Sequence, residues 1–165
     1  MVDETSAAML ELHVNGQVRG VRAEGNQTLL EVLNDQLGLS GARGACGIGM
    51  CGACTVLLEG RPVSSCLLLA QQVEGKQIVT IEGLARDGHL HPVQQAFVDH
   101  AAFQCAYCTP GFILTTVALL ADHPAPSDHT IRHYLAGNLC RCGSYVNILE
   151  AVRASAGRGS GSGEA

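Results

Sequence analysis

Apolar residues alternate along the first part of the chain and recur at helical spacing along the second, with the change of texture near residue 83. Leu10, Leu12 and Val14 occupy every second position of Met9 to Val14, and an extended pattern resumes from Gln17 to Ala23 after Asn15-Gly16. Alternating runs joined by Asn-Gly predict a hairpin with a type I′ turn, which needs positive φ at both central residues. Thr28 then precedes Leu29, Leu30, Val32, Leu33 and Leu37, an apolar stripe at helical spacing. Glu31, three residues after the threonine, completes a capping box, and Gly38 closes the helix. Apolar segments follow at Thr55 to Leu58 and Val63 to Leu69, with a turn at Glu59-Gly60-Arg61-Pro62 between them, and Ile78 to Ile81 reads as a further strand. A hairpin, a helix across it and more strands make a small α+β sheet domain over residues 1–82.

The link from Gly83 to His89 reads as a domain boundary, and helical periods fill residues 83–155. His91-Pro92 opens a helix through Phe103, with Val93, Ala96, Phe97, Val98 and Ala101 near helical spacing. Thr109-Pro110 opens a second that runs to Pro124, and Ser127 or Asp128 caps a third, Ile131 to Ala136, which Gly137 terminates. A fourth follows Cys142, with Val146, Ile148, Leu149 and Val152 toward a core. Short connections between four short helices suggest a bundle. Residues 156–165 are a Gly/Ser-rich tail with nothing to bury, expected to be flexible.

Composition narrows the function. At 165 residues and 47% apolar, the chain can build one ordinary core or two small ones. Ten Lys+Arg against a formal charge of −5 leave no basic stripe for phosphate, which argues against nucleic acid. No apolar run reaches the length of a membrane span. Asp3 and Glu4 stand where a secretory leader would be basic, so a cytoplasmic chain is expected. No Ser/His/Asp set is recognisable, and Gly47-Ile-Gly49 lacks the strand-to-helix setting of a dinucleotide site, so no catalytic residue is assigned.

Eight cysteines carry the chemistry. Cys46-x4-Cys51-x2-Cys54 followed by the distant Cys66 is the plant-type spacing for a 2Fe-2S cluster. Gly44, Gly47, Gly49 and Gly52 give that loop the positive φ it needs to wrap a small inorganic core and turn its N–H groups toward sulfur. Cys105-x2-Cys108 and Cys140-x-Cys142 form a second set at one end of the helical region. Cys108 precedes a helix N-terminus, whose dipole favours a thiolate. Disulfides are disfavoured in a reducing compartment, and Cys140 and Cys142 are too close for an unstrained bridge. On spacing alone, four-cysteine structural zinc rivals a cluster for this second set. The histidines, His13, His89, His91, His100, His123, His129 and His133, read as strand-face, helix-end or surface residues.

Three stretches in order, Gly44 to Cys66 with Cys51-Gly-Ala-Cys54-Thr-Val inside it, Gln104-Cys-Ala-Tyr-Cys-Thr-Pro-Gly111, and Gly137-Asn-Leu-Cys-Arg-Cys142, resemble the signatures of the molybdenum hydroxylase family. The chain is similar to the family's small iron-sulfur subunit over roughly residues 9 to 153. The resemblance implies a plant-type ferredoxin-like β-grasp domain followed by a four-helix-bundle domain, each holding one 2Fe-2S cluster. It implies an electron-transfer subunit of an oxidoreductase, with no substrate chemistry on this chain. Electrons would pass from the molybdopterin cofactor of a large subunit, through the helical-domain cluster and then the ferredoxin-like one, to FAD on a medium subunit or to a cytochrome. Gln104 and Cys142 match positions that contact the pterin, Arg141 could offset cluster charge, and Tyr107 and Tyr145 should shield the inner cluster or line the subunit interface. Ala45, Ala106 and Gly143-Ser144 depart from the family's usual Gly, Gly and Thr-Gly, which touches loop geometry but not ligand count. The alternatives are a free-standing ferredoxin-like carrier, or a one-cluster protein with zinc in the helical domain.

Overall fold

The computed structural model describes residues 7–158. The chain begins with an antiparallel hairpin, β1 (Ala8–Val14) and β2 (Gln17–Ala23), turning on Asn15 at φ 53° and Gly16 at φ 76°, as a type I′ turn requires. Three later strands, β3 (Thr55–Leu58), β4 (Arg61–Ser64) and β5 (Gln77–Val79), complete a five-stranded sheet in the order β2-β1-β5-β3-β4. The β1–β5 pair is parallel and the others antiparallel. Arg61 and Pro62, expected in the turn, belong to β4, because Glu59 and Gly60 alone reverse the chain with positive φ.

Thr28 caps α1 (Leu29–Glu31) through the expected capping box, but α-helical pairing lasts a single turn. Val32 to Gln36 widens into a π-helical turn, closed by Leu37 N–H donating to Val32 C=O at 3.2 Å, before Gly38 at φ 67° ends it. Its apolar face, Leu29, Val32 and Leu33, is fully buried against Leu12, Val56 and Ile78 of the sheet.

Four further helices follow: α2 (Pro92–Asp99), α3 (Thr109–Asp122), α4 (Asp128–Tyr134) and α5 (Tyr145–Arg158). Phe97, Phe112, Leu119, Ile131, Ile148 and Val152 bury together among them. The second core reaches into the sheet. Leu57 on β3 packs with these helices, while its neighbour Val56 points into the sheet core. Successive strand residues face opposite sides, so one short strand serves both cores.

Several expectations are corrected. The first helix of this group stops at Asp99, short of Phe103, because Ala101 turns left-handed at φ 46° and Ala102 N–H bonds back to Phe97 C=O at 2.9 Å, burying Ala102. Val98 and Val146 face solvent, Val146 at 68% exposure, while α5 buries Ile148, Leu149 and Val152 as expected and adds Ala151. Residues 156–158, assigned by composition to the tail, close α5, while the rest of the tail lies outside the described residues.

Candidate metal centres

The first cysteine loop joins α1 to β3. Gly47, Gly49 and Gly52 sit at φ 66°, 73° and 67°, and Gly44, expected to share that role, does not adopt positive φ. A Cβ on Gly49 would lie 2.3 Å from Leu67 Cδ1, the movable end of an exposed side chain, so it is the φ of 73° that demands glycine at this position. Cys66 itself is delivered by a 3-10 turn, Ser65–Leu67, inside the apolar segment Val63 to Leu69. Backbone N–H groups of Ile48, Cys51 and Met50 point at the Cys46 sulfur and, with the Cys51 thiol, draw its pKa down to about 6. Burial pushes the Cys66 thiol up against the opposing pull of Gly49 N–H. The expected turning of N–H groups toward sulfur is thus present.

The second set closes between α2, α3 and the segment before α5. Cys108 stands at the N-cap of α3, where a lowered pKa was expected, yet burial and then the neighbouring Cys140 push its thiol up to about 12 against the pull of its own backbone N–H. Cys105 is exposed, and Tyr107 N–H holds its pKa below the usual thiol range. At Cys140 burial pushes up, but donors including Ser144 N–H, 3.4 Å from Sγ, win and lower it. Of the two glycines flanking Cys140-x-Cys142, Gly143 bends the loop at φ 78° and Gly137 does not adopt positive φ. Gln104 donates from Nε2 to Cys142 C=O at 3.1 Å, joining the two residues matched to pterin contacts. Arg141 is exposed.

Within each set the sulfurs associate in twos. Cys105 Sγ lies 3.4 Å from Cys142 Sγ, and the Cys46–Cys51, Cys54–Cys66 and Cys108–Cys140 side chains are hydrogen-bonding neighbours, with weaker charge interactions between the two pairs of each set. A tetrahedral ion needs four donors around one point. Two irons bridged by sulfide need two thiolates at each end, and the paired sulfurs fit that demand. Among the described residues, no three Cys, His, Asp or Glu side chains converge on a single ion-sized site.

The two loops touch. Leu139 N–H donates to Cys51 C=O at 2.9 Å, and the buried Asn138 carboxamide donates to Gly52 C=O at 3.2 Å. Tyr107 OH donates to Gly44 C=O at 2.5 Å, and Arg43 donates to Ala106 C=O at 2.7 Å with its guanidinium 5.3 Å from the Tyr107 ring centre. Tyr107 therefore ties one loop to the other, while Tyr145 accepts from Cys140 N–H at 2.9 Å and packs edge-on to Phe112. Asn138 and Arg43 escaped the reading of the sequence; the only signal was Asn138's place inside the Gly-Asn-Leu-Cys-Arg-Cys stretch. The histidines keep to structural places: His91 caps α2, His100 ends it, and His129 stacks on His133 along α4.

Comparison with known proteins gives the family. Residues 12–85 match the model of a 2Fe-2S iron-sulfur cluster binding domain, and residues 80–153 that of a 2Fe-2S binding domain. The nicotinate dehydrogenase small FeS subunit of Eubacterium barkeri is 45% identical over 144 residues, 87% of this chain and 92% of that one. A nicotinate dehydrogenase subunit of Pseudomonas putida is 48% identical over 147 residues, covering 89% of this chain and 94% of that one. Among solved structures, quinoline 2-oxidoreductase from Pseudomonas putida 86 superposes with a TM-score of 0.90 at 39% identity, covering 94% of this chain and 99% of that one. The aldehyde oxidoreductase of Desulfovibrio desulfuricans superposes at 0.87 and 39% identity, over 91% of this chain and 17% of that longer one.

Proposed function

The chain belongs to the small iron-sulfur subunits of the molybdenum hydroxylases, and from that premise we propose that its eight cysteines hold two 2Fe-2S clusters in an electron relay. Cys46, Cys51, Cys54 and Cys66 would hold the outer cluster in a sheet domain over residues 1–82, with Gly47, Gly49 and Gly52 letting the loop close around it. Cys105, Cys108, Cys140 and Cys142 would hold the inner one in a four-helix-bundle domain over residues 83–155. The two-by-two pairing of sulfurs carries this reading. Bound there, a 2Fe-2S cluster takes up and releases one electron at a time.

The chain's own part is to hold, insulate and align. N–H donors at Cys46, Cys105 and Cys140 disperse thiolate charge. The Leu139–Cys51 hydrogen bond joins the residue beside Cys140 to a cysteine of the other set, a short bonded link between the two sites.

Around the inner set Phe103, Tyr107, Leu139, Tyr145 and Val146 expose apolar surface, with Gln104 and Cys142 among them. That face suits a large molybdenum subunit, with Gln104 and Cys142 against its molybdopterin cofactor. The outer loop exposes Ile48 and Met50 and would face the acceptor, FAD on a third subunit or a cytochrome. We place the chain in the cytoplasm, where a reducing milieu keeps ligand cysteines from pairing as disulfides; no helix among the described residues is long and apolar enough to cross a membrane.

Metal and acid-labile sulfide analysis of the purified complex tests the reading. About four irons and four sulfides per copy of this chain are expected. Two irons with one zinc would replace it by the one-cluster alternative, and purification without a molybdenum-containing chain would favour the free-standing carrier.

A further inference from the structure

Asn138 is 5% exposed, and burying a carboxamide is costly unless its hydrogen bonds are made. Its backbone N–H already closes the 3-10 turn after α4 by donating to Leu135 C=O at 2.9 Å, so local structure does not require the side chain. The side chain reaches across to the other cysteine loop, donating from Nδ2 to Gly52 C=O. Thr55 holds the same oxygen from the sheet side, through Oγ1 at 2.7 Å and N–H at 3.2 Å. The contact leaves no room for substituents. A Cβ on Gly52 would lie 2.4 Å from Asn138 Nδ2 and 2.5 Å from Gly137 O, and one on Gly111, in the first turn of α3, would lie 2.2 Å from Gly52 O. Two glycines and one amide thus bring three segments to backbone contact. One residue along on each side, Leu139 N–H meets Cys51 C=O.

We propose that Asn138 is a positioning residue for electron transfer, its carboxamide clamping Gly52 so that the Leu139–Cys51 hydrogen bond between the two cysteine sets stays closed. This rests on the two-cluster reading. The step served is the passage of one electron from the helical set's cluster, oxidised by one, to the sheet set's cluster, reduced by one; no bond forms or breaks. A hydrophobic residue could fill the same space, but it could not donate to Gly52 C=O.

The experiment compares Asn138→Ala and Asn138→Asp with wild type in the intact complex. Iron content, the magnetic splitting between the two reduced clusters, hydrogen exchange at the Leu139 amide and the rate of intercluster electron transfer are measured together. Both variants are expected to keep wild-type iron, to exchange the Leu139 amide faster, to change the splitting and to slow intercluster transfer by roughly tenfold. Asn138→Asp keeps the shape but sets a carboxylate against a carbonyl, so wild-type behaviour in that variant would overturn the proposal. Unchanged splitting and rate in Asn138→Ala would overturn it too. Loss of iron from both variants would make Asn138 a folding determinant and also end the proposal. Absence of two clusters from the wild type would fail the underlying reading instead.

Discussion

At the scale of single residues, backbone conformation separates two small side chains beside the cysteines. Ala106, between Cys105 and Tyr107, holds φ 59°, a left-handed conformation that costs a non-glycine residue about 1 kcal/mol. Its carbonyl is held there by Arg43. Ala106→Gly removes that strain but loosens the unfolded chain by about 0.4–1 kcal/mol, so the two effects nearly cancel. The inner cluster's thermal bleaching should therefore move little, whereas Ala106→Val, branched at Cβ, should bleach at clearly lower temperature. Equal behaviour of the two variants would refute the strain argument. Gly52 is the opposite case, since alanine there would meet positive φ and the Asn138 clash together. Gly52→Ala is expected to lose the outer cluster's signal on purification.

At the scale of elements, α2 begins on an unusual cap. His91 Nδ1 accepts from Val93 N–H at 3.2 Å, and Gln94 Oε1 accepts from His91 N–H at 2.9 Å, with Pro92 in the first turn. Burial, then the Arg86 charge, hold the imidazole below the usual histidine range. The unfolded chain therefore binds the proton more strongly than the folded one. This cap's stability is complete above the unfolded value of about 6.5 and declines as pH falls through it toward the folded value. His91→Asn keeps a side-chain acceptor at the cap and removes the titration, so melting curves should show its advantage over wild type growing below about pH 6.5. His91→Ala should cost about 1 kcal/mol at neutral pH. A pH-independent gap between wild type and His91→Asn would contradict the assignment.

The same scale shows what was legible in the chain. The hairpin, the Thr28 cap and the starts of α2, α3 and α4 could be read because their signals lie within a few residues: Asn-Gly, a capping box, Pro in a first turn, Ser127 accepting from Thr130 N–H. The spacings Cys46-x4-Cys51-x2-Cys54, Cys105-x2-Cys108 and Cys140-x-Cys142 are local in the same way. The end of α2 could not, because it depends on an alanine taking a left-handed φ to bury Ala102. Val146 was misplaced although, at 100° per residue, it lies nearly opposite the face of Ile148, Ala151, Val152 and Ser155 that α5 buries, so the helical period strictly applied already excludes it. The pairing of Asn138 with Gly52 spans 86 positions and has no periodic trace.

At the scale of the whole molecule, the two cores are distinct in composition but share β3. Leu57, 5% exposed, belongs to the helical core, with Val79 and Ile81 of the sheet side packed against the same cluster, while Val56 belongs to the sheet core. The loops are joined again by the Asn138, Leu139, Tyr107 and Arg43 hydrogen bonds. Melting the helices would strip Leu57 of its partners and expose one face of the strand that pairs with both β4 and β5. The two cysteine sets should therefore lose their clusters in one cooperative step, not in sequence. Leu57→Ala creates a cavity expected to cost about 2–5 kcal/mol, and because the strand is common to both cores it should lower both bleaching temperatures together. Leu12→Ala, confined to the sheet core, provides the comparison. Circular dichroism in the visible range, following each cluster's band during heating, checks this. Two separate transitions, with Leu57→Ala shifting only the inner cluster, would mean that the halves unfold independently and that the shared strand transmits nothing between them.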